Sequence, residues 1–140
     1  MAGMEGLGRD VDFIPIASGQ AFKLRGASAA SILCTGADTF TITVSPTFGG
    51  AYVSPGALIN HYYQRADTNG THAWTRVAQT AANTVVQASA YTSLFEILTS
   101  QIPAPNAYVK VTASAAGLVT VILHDLVAQR RAVNLEVLGA

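Results

Sequence analysis

Charge is what this sequence has least of: 11% of its residues are Asp, Glu, Lys or Arg, against about 25% in an ordinary soluble domain. The eight basic and eight acidic residues cancel, which removes the net field that would gather nucleic acid or an anionic membrane. Neither is expected as a partner. A lone cysteine, Cys34, excludes an internal disulfide and a four-cysteine zinc site. No apolar run reaches the roughly 20 residues of a membrane helix, since Leu118 to Leu123 is halted by His124 and Asp125. Met1 to Phe13 carries Glu5, Asp10 and Asp12 without a basic or apolar leader region, so no secretory signal is expected there. The catalytic signatures are missing too: no Gly-x-Ser-x-Gly elbow, phosphate loop, His-Glu-x-x-His, Cys-x-x-Cys or calcium loop occurs. The expectation is a protein that is not an enzyme and carries no cofactor and no metal.

Half of the 140 residues are apolar, enough to bury one core and to exclude disorder. Period-two alternation recurs. Phe40, Ile42 and Val44 oppose Thr39, Thr41, Thr43 and Ser45; Val109, Val111 and Ala113 oppose Tyr108, Lys110 and Thr112; Val133, Leu135 and Val137 oppose Asn134 and Glu136. Val119 to Leu123 is apolar on both faces and is expected to lie centrally. Breaks fall at Gly36 to Asp38, Pro46 to Gly50, Pro55–Gly56, Pro103 to Asn106 and Ala115 to Gly117. Asn69–Gly70 marks a hairpin between Ile59–Arg65 and His72–Ala78. Short strands at this spacing predict an all-β antiparallel sandwich, jelly-roll or Ig-like, over 21–140. Residues 1–20, punctuated by Gly3, Gly6, Gly8, Gly19 and Pro15, read as an extended arm. Tyr91, Leu94, Phe95, Leu98 and Ile102 fit helical spacing, leaving one short helix open; the strand reading, with Leu94, Glu96 and Leu98 against Phe95 and Ile97, is preferred.

Each candidate site has a plain alternative. His61 and His72 flank the hairpin and would need a carboxylate such as Asp67 to hold a metal; their spacing matches no metal signature, and two polar strand-face residues near a turn is the preferred reading. His124 and Asp125 resemble an acid–base pair, but neighbours on a strand point to opposite faces. Cys34, in an apolar stretch with no base nearby, reads as an inert thiol. Tyr62 and Trp74, with Asp67 reaching hydroxyls, would make a stacking platform for a glycan; a single indole between two sheets is the commoner outcome. Arg130 and Arg131 would grip a carboxylate on a partner or end a strand in solvent.

Tyr62 to Ala78, YYQRADTNGTHAWTRVA, resembles the strand, Asp-x-x-Gly turn and Trp-Thr strand unit of small β-sandwich structural proteins of tailed bacteriophages. Ala107 to Leu123, AYVKVTASAAGLVTVIL, is similar to the Tyr-Val-(Arg/Lys)-Val strand, small-residue turn and Val-Thr-Val strand that follow it. This chain has Asn-Gly where Asp-Gly is common. The resemblance, over roughly 22–138, implies a capsid decoration or cement protein, made in the bacterial cytoplasm and placed on the outer surface of the virion head. It implies the major capsid protein as partner and self-association, commonly as a homotrimer. On that reading the arm, through Phe13, Ile14 and Ile16, lies along the capsid while the sandwich forms a rigid plug. The alternatives are a tail or fibre component, or a carbohydrate-binding sandwich module.

Overall fold

The computed structural model describes residues 7–8, 10–16, 19–24 and 26–126. Among these residues ten strands follow in chain order: β1 (Val11–Ile16), β2 (Ala21–Lys23), β3 (Ala27–Thr35), β4 (Thr39–Ser45), β5 (Ile59–Arg65), β6 (Thr75–Ala82), β7 (Thr84–Val86), β8 (Thr92–Leu98), β9 (Tyr108–Ala113) and β10 (Leu118–Leu126). A six-stranded sheet, ordered β1-β10-β3-β8-β5-β6, packs against a four-stranded sheet, β2-β9-β4-β7. Every paired strand in these sheets is antiparallel. The expected all-β sandwich is what the chain forms.

Alternation drives the packing. Phe40, Ile42 and Val44 of β4 are fully buried between half-exposed threonines, and they meet Ile32, Phe95, Ile97, Val121 and Leu123 of the larger sheet in one core. The segment with two readings, 91–102, is a strand: Phe95 and Ile97 point inward, Glu96 and Leu98 outward. Only Thr99–Gln101 turns helically, as a single 3₁₀ turn. β10 lies inside the larger sheet between β1 and β3, as its apolar run predicts. The expected strand around Val133, Leu135 and Val137 lies outside the described residues.

The arm expectation is corrected over Val11–Ile16. These residues pair along their whole length with β10, Val11 opposite His124 and Ile16 opposite Val119. Ile14 and Ile16 are buried in the core, while Phe13 faces outward at 54% exposure. The glycines around this stretch suggested an arm, but the pattern Asp-Phe-Ile-Pro-Ile alternates well enough to form an edge strand, and Pro15 is tolerated there because an edge leaves one N–H side unpaired.

Asp38 locks the two sheets' turns together. Its buried carboxylate accepts hydrogen bonds from the Ser114 hydroxyl and from the backbone N–H groups of Thr39 (3.2 Å), Ala115 (2.6 Å) and Gly117 (2.7 Å). Gly117 is required by contact: a Cβ there would stand 2.7 Å from Asp38 Oδ2 and 2.8 Å from Phe40 Cζ. Gly117→Ala should therefore lower stability by about 1–3 kcal/mol through overpacking. Gly49→Ala, where nothing lies within 4 Å of the added carbon, should leave the urea midpoint nearly unchanged. Ile14→Ala should cost about 2–5 kcal/mol, as for other buried isoleucines. A midpoint that does not move would return β1 to the status of a loose arm.

Candidate functional site

The outer face of the larger sheet is built by register. One row across it reads Pro15, Thr120, Leu33, Leu94, Tyr63 and Arg76; the next reads Phe13, Ile122, Ser31 and Glu96. Phe13, Tyr63, Leu98 and Leu118 on this face are among the large apolar side chains left exposed, Leu118 at 71%. Leu33, Leu94 and Ile122 are half-buried, with no layer of described residues above them. Across these strands, the face's charged groups are few: Glu96, Asp125, Arg65 and Arg76. A face of this make-up is chemically suited to burial against protein.

The face is interrupted by a groove. β5 pairs with β8 only from Tyr63 to Arg65, and an irregularity between Ile59 and His61 in its pairing with β6 turns it away. The two strands then splay around a cavity of about 370 Å³ lined by Ser31, Tyr62, Phe95, Glu96, Leu98 and Gln101, among others. Gln101 Oε1 accepts the Leu98 N–H at 2.9 Å at the end of β8, and at the irregularity between β5 and β6 Gln79 Nε2 donates to the carbonyls of Ile59 and Thr84, both at 2.9 Å.

Beside the groove, His124 Nε2 lies 3.1 Å from Ser31 Oγ and 3.4 Å from Glu96 Oε2, while Nδ1 lies 3.2 Å from Asp125 Oδ2. The expectation that His124 and Asp125 point apart is corrected. Asp125 has φ of 55°, which breaks the strand's alternation and folds its carboxylate back to the imidazole. Ser31 sits inside the β10-β3-β8 ladder, so its backbone is committed to the sheet rather than aimed at a reacting oxygen. The cluster is a polar network tying three strands.

The hairpin marked by Asn69–Gly70 forms, with a longer connection than a two-residue turn. Residues 66–74 link β5 to β6, with Gly70 at φ 81°. Asp67 organises this loop: its carboxylate accepts from the N–H groups of Asn69 (3.3 Å), Gly70 (2.9 Å) and His72 (2.6 Å), from Thr71 Oγ1 (2.8 Å) and from His72 Nδ1. Thr92 Oγ1 donates to the Asp67 carbonyl at 2.8 Å, pinning the loop to β8. Periodicity carried no sign of this; the Asp-x-x-Gly-Thr-His spacing was the available signal.

The residues singled out from sequence separate accordingly. Trp74 is not the buried indole expected: it lies in the loop, 38% exposed, with the Arg65 guanidinium 4.5 Å from its ring centroid. Arg65 also donates to the carbonyls of Gly70 (3.1 Å) and His72 (2.8 Å). Tyr62 is buried in the core, and the Asp67 oxygens are engaged within the loop, so Tyr62, Trp74 and Asp67 do not share an open face. His72 belongs to the loop, whereas His61 Nδ1 contacts Asn60 Oδ1 at 2.7 Å on β5. Among the described residues no group of three His, Cys, Asp or Glu could hold a metal. Burial pushes the Cys34 thiol far above its ordinary range, which keeps it protonated. Ile14 and Ile16 are core, and of the three only Phe13 is exposed; Arg130 and Arg131 lie outside the described residues.

Both loop carboxylates are held below their ordinary range. For Asp38 the Ser114 hydrogen bond leads, with the three backbone N–H groups adding to it against a partial loss of solvation. For Asp67 the loss of solvation is the largest single effect and pushes up, but the hydrogen bonds from Thr71, His72 and Gly70 together outweigh it. Lowered folded values mean that the unfolded chain takes up protons first as pH falls. Stability should hold above about pH 4, the ordinary carboxylate value, and decline below it. Asp38→Asn should lower the neutral-pH urea midpoint and flatten that acid limb; an unchanged limb would show that Asp38 does not carry it. Comparison of the chain with family models, with curated proteins and with solved structures finds no match.

Proposed function

We propose that this chain is a non-enzymatic structural protein of a tailed-phage particle, bound to the outside of the head, where it stabilises contacts between major capsid protein subunits. The observation that carries an assembly role is the outer face of the larger sheet. A row of apolar and uncharged side chains crosses from β1 to β5, held in register by antiparallel pairing. Such a face gains free energy when covered, because each apolar side chain removed from water contributes by its area. The head as location rests on the resemblance of Tyr62 to Ala78 and Ala107 to Leu123. The first forms β5, the Asp67 loop and β6; the second includes β9, its turn and the start of β10.

A shell protein must present a rigid surface. The Asp67 network and the Asp38 clamp meet that need without disulfides, by saturating carboxylates with backbone donors. On this reading the cinched loop presents Trp74 and Arg65 to the shell, replacing the arm as the projecting contact, with Phe13 at the opposite edge.

The exposure of Trp74 supports one rival, a tail or fibre component whose indole stacks on a sugar ring. Trp74→Ala should keep the fold, since the ring lies outside the core, and should weaken attachment to purified particles. Loss of binding on a glycan array instead would favour the rival. The deciding measurement is the copy number of this chain relative to the major capsid protein in purified particles, by quantitative mass spectrometry. A fixed ratio at hundreds of copies is expected; a handful would move the protein to the tail, and none would overturn the particle reading.

A further inference from the structure

We propose that the groove between β5 and β8 is a binding site for a neutral sugar ring. The inference goes beyond the particle reading and does not depend on it, because the sheet builds this groove wherever the protein sits.

The first observation is a buried hydroxyl without a partner. Tyr62 is 7% exposed and forms part of the groove wall, yet no described residue exchanges a hydrogen bond with its hydroxyl. Buried hydroxyls nearly always have a partner, and one that lacks it within the chain marks a place where something else supplies the bond. The backbone opens on the same space. Leu98 turns its N–H away from β3 and toward Gln101, so the Glu96 N–H, two residues back on the same edge, points to the groove beyond the last paired residues, Tyr63 and Leu94.

The second observation is that the rim side chains are left half-used. Gln101 commits its Oε1 to the Leu98 N–H at 2.9 Å, and Asn60 its Oδ1 to His61 Nδ1 at 2.7 Å. Each amide therefore keeps its NH2 group for a ligand. Glu96 supplies the complementary acceptor: its side chain is 53% exposed, with one oxygen 3.4 Å from His124 Nε2. Tyr63 adds a half-exposed aromatic ring, steadied by the His61 ring standing edge-on at 6.1 Å.

Amide donors and a carboxylate acceptor around an aromatic ring match the two sides of a pyranose. Its edge carries hydroxyls that donate and accept together, and its face carries C–H groups that lie against an aromatic ring. Other ligand classes fit less well. An anion meets no lysine or arginine among the described wall residues and is repelled by Glu96. An apolar ligand would take water from the amides and from the Tyr62 hydroxyl without replacing its hydrogen bonds. The cavity, about 370 Å³, lies at the small end of ligand pockets, roughly 300–1,000 Å³, which suits a short saccharide. Of Tyr62, Trp74 and Asp67, the platform read from the sequence, Tyr62 alone lines this groove, and the stacking ring is Tyr63 rather than Trp74.

The test is a two-dimensional amide NMR titration of the full chain. The probes are the methyl glycosides of glucose, galactose, mannose, rhamnose and N-acetylglucosamine, each taken to about 20 mM, where a complex with a Kd of about 1 mM is nearly saturated. At least one should shift the amides of 59–63 and 96–101 saturably. Tyr62→Phe should weaken that binding about fivefold, the worth of one neutral hydrogen bond. It should not lower the urea midpoint, since the hydroxyl has no protein partner to lose. Trp74→Ala should bind as the native chain does. No saturable shift with any of the five glycosides would overturn the inference and leave the groove to solvent. Shifts that centre on Trp74 and vanish in Trp74→Ala would overturn it too, as would a Tyr62→Phe chain that loses stability and keeps its full affinity. The copy number in particles is read independently, so this inference and the particle reading fail separately.

Discussion

The antiparallel register among β10, β3 and β8 is the constraint on which the molecule depends. Those three strands lie at the centre of the larger sheet, and their inward residues, Ile32, Cys34, Phe95, Ile97, Val121 and Leu123, are all nearly or fully removed from water. A slip of one residue in any of them would turn these side chains to the outside and bring Ser31, Glu96 and His124 into the core. That alternative would bury a carboxylate and an imidazole among aliphatic side chains, at a penalty no surface contact offsets. The same register that fixes the core therefore fixes the order of residues on the outer face.

Because the smaller sheet is four strands wide and the larger one six, the sandwich cannot cover both ends of the larger sheet equally. β6 shows the consequence: most of its residues are exposed or half-exposed on either side. The chain turns this overhang to use at its end, where Asn83 leads from β6 into β7 and so from one sheet to the other. Ile42 donates its N–H to the Asn83 carbonyl at 2.9 Å and accepts from Asn83 Nδ2 at 2.8 Å. One asparagine thus supplies both halves of a strand-like pair at a corner where regular pairing ends. Asp38 and Asp67 act by the same principle at turns, gathering backbone N–H groups that would otherwise lack a partner near the surface.

How much of this was legible depends on whether the signal was periodic. β4, β9 and β10 were readable because alternating Val, Ile and Phe state both the strand and its inward face. The 92–98 strand was readable against a helical alternative because Phe95 and Ile97 are larger and more β-prone than what lies between them. β3 was not assigned as a strand, since Ala27, Ser28, Ala29, Ala30 and Ser31 carry little contrast between faces; only its end, Ser31 to Cys34, read as apolar. β1 was missed because glycines on either side dominated a short pattern, and its pairing with β10 spans about a hundred residues of sequence. Trp74 was misplaced for a different reason: a large aromatic beside Thr75 looks like a strand residue, but the hydrogen bonds of Asp67 lengthen the turn and end the strand before it. Polar cradles of that kind are made from residues that composition counts as ordinary loop. The His124 network was illegible because it joins Ser31, Glu96 and His124 across three strands and depends on an aspartate with positive φ, which no alternation rule predicts.

The shortage of charge read from composition acquires a location in the fold. Asp38 and Asp67 are consumed by turns, and Arg65, at the end of β5, by the loop carbonyls and the Trp74 ring. Little charge is left for the broad face between β1 and β5. A sparsely charged, partly apolar surface tends to associate as concentration rises. Selection for a free-standing domain would readily place lysines at Thr35, Thr120 or Ala78, positions where the strands already tolerate small polar or unbranched side chains. Their neutrality links the first observation made on the sequence to the face that the register builds.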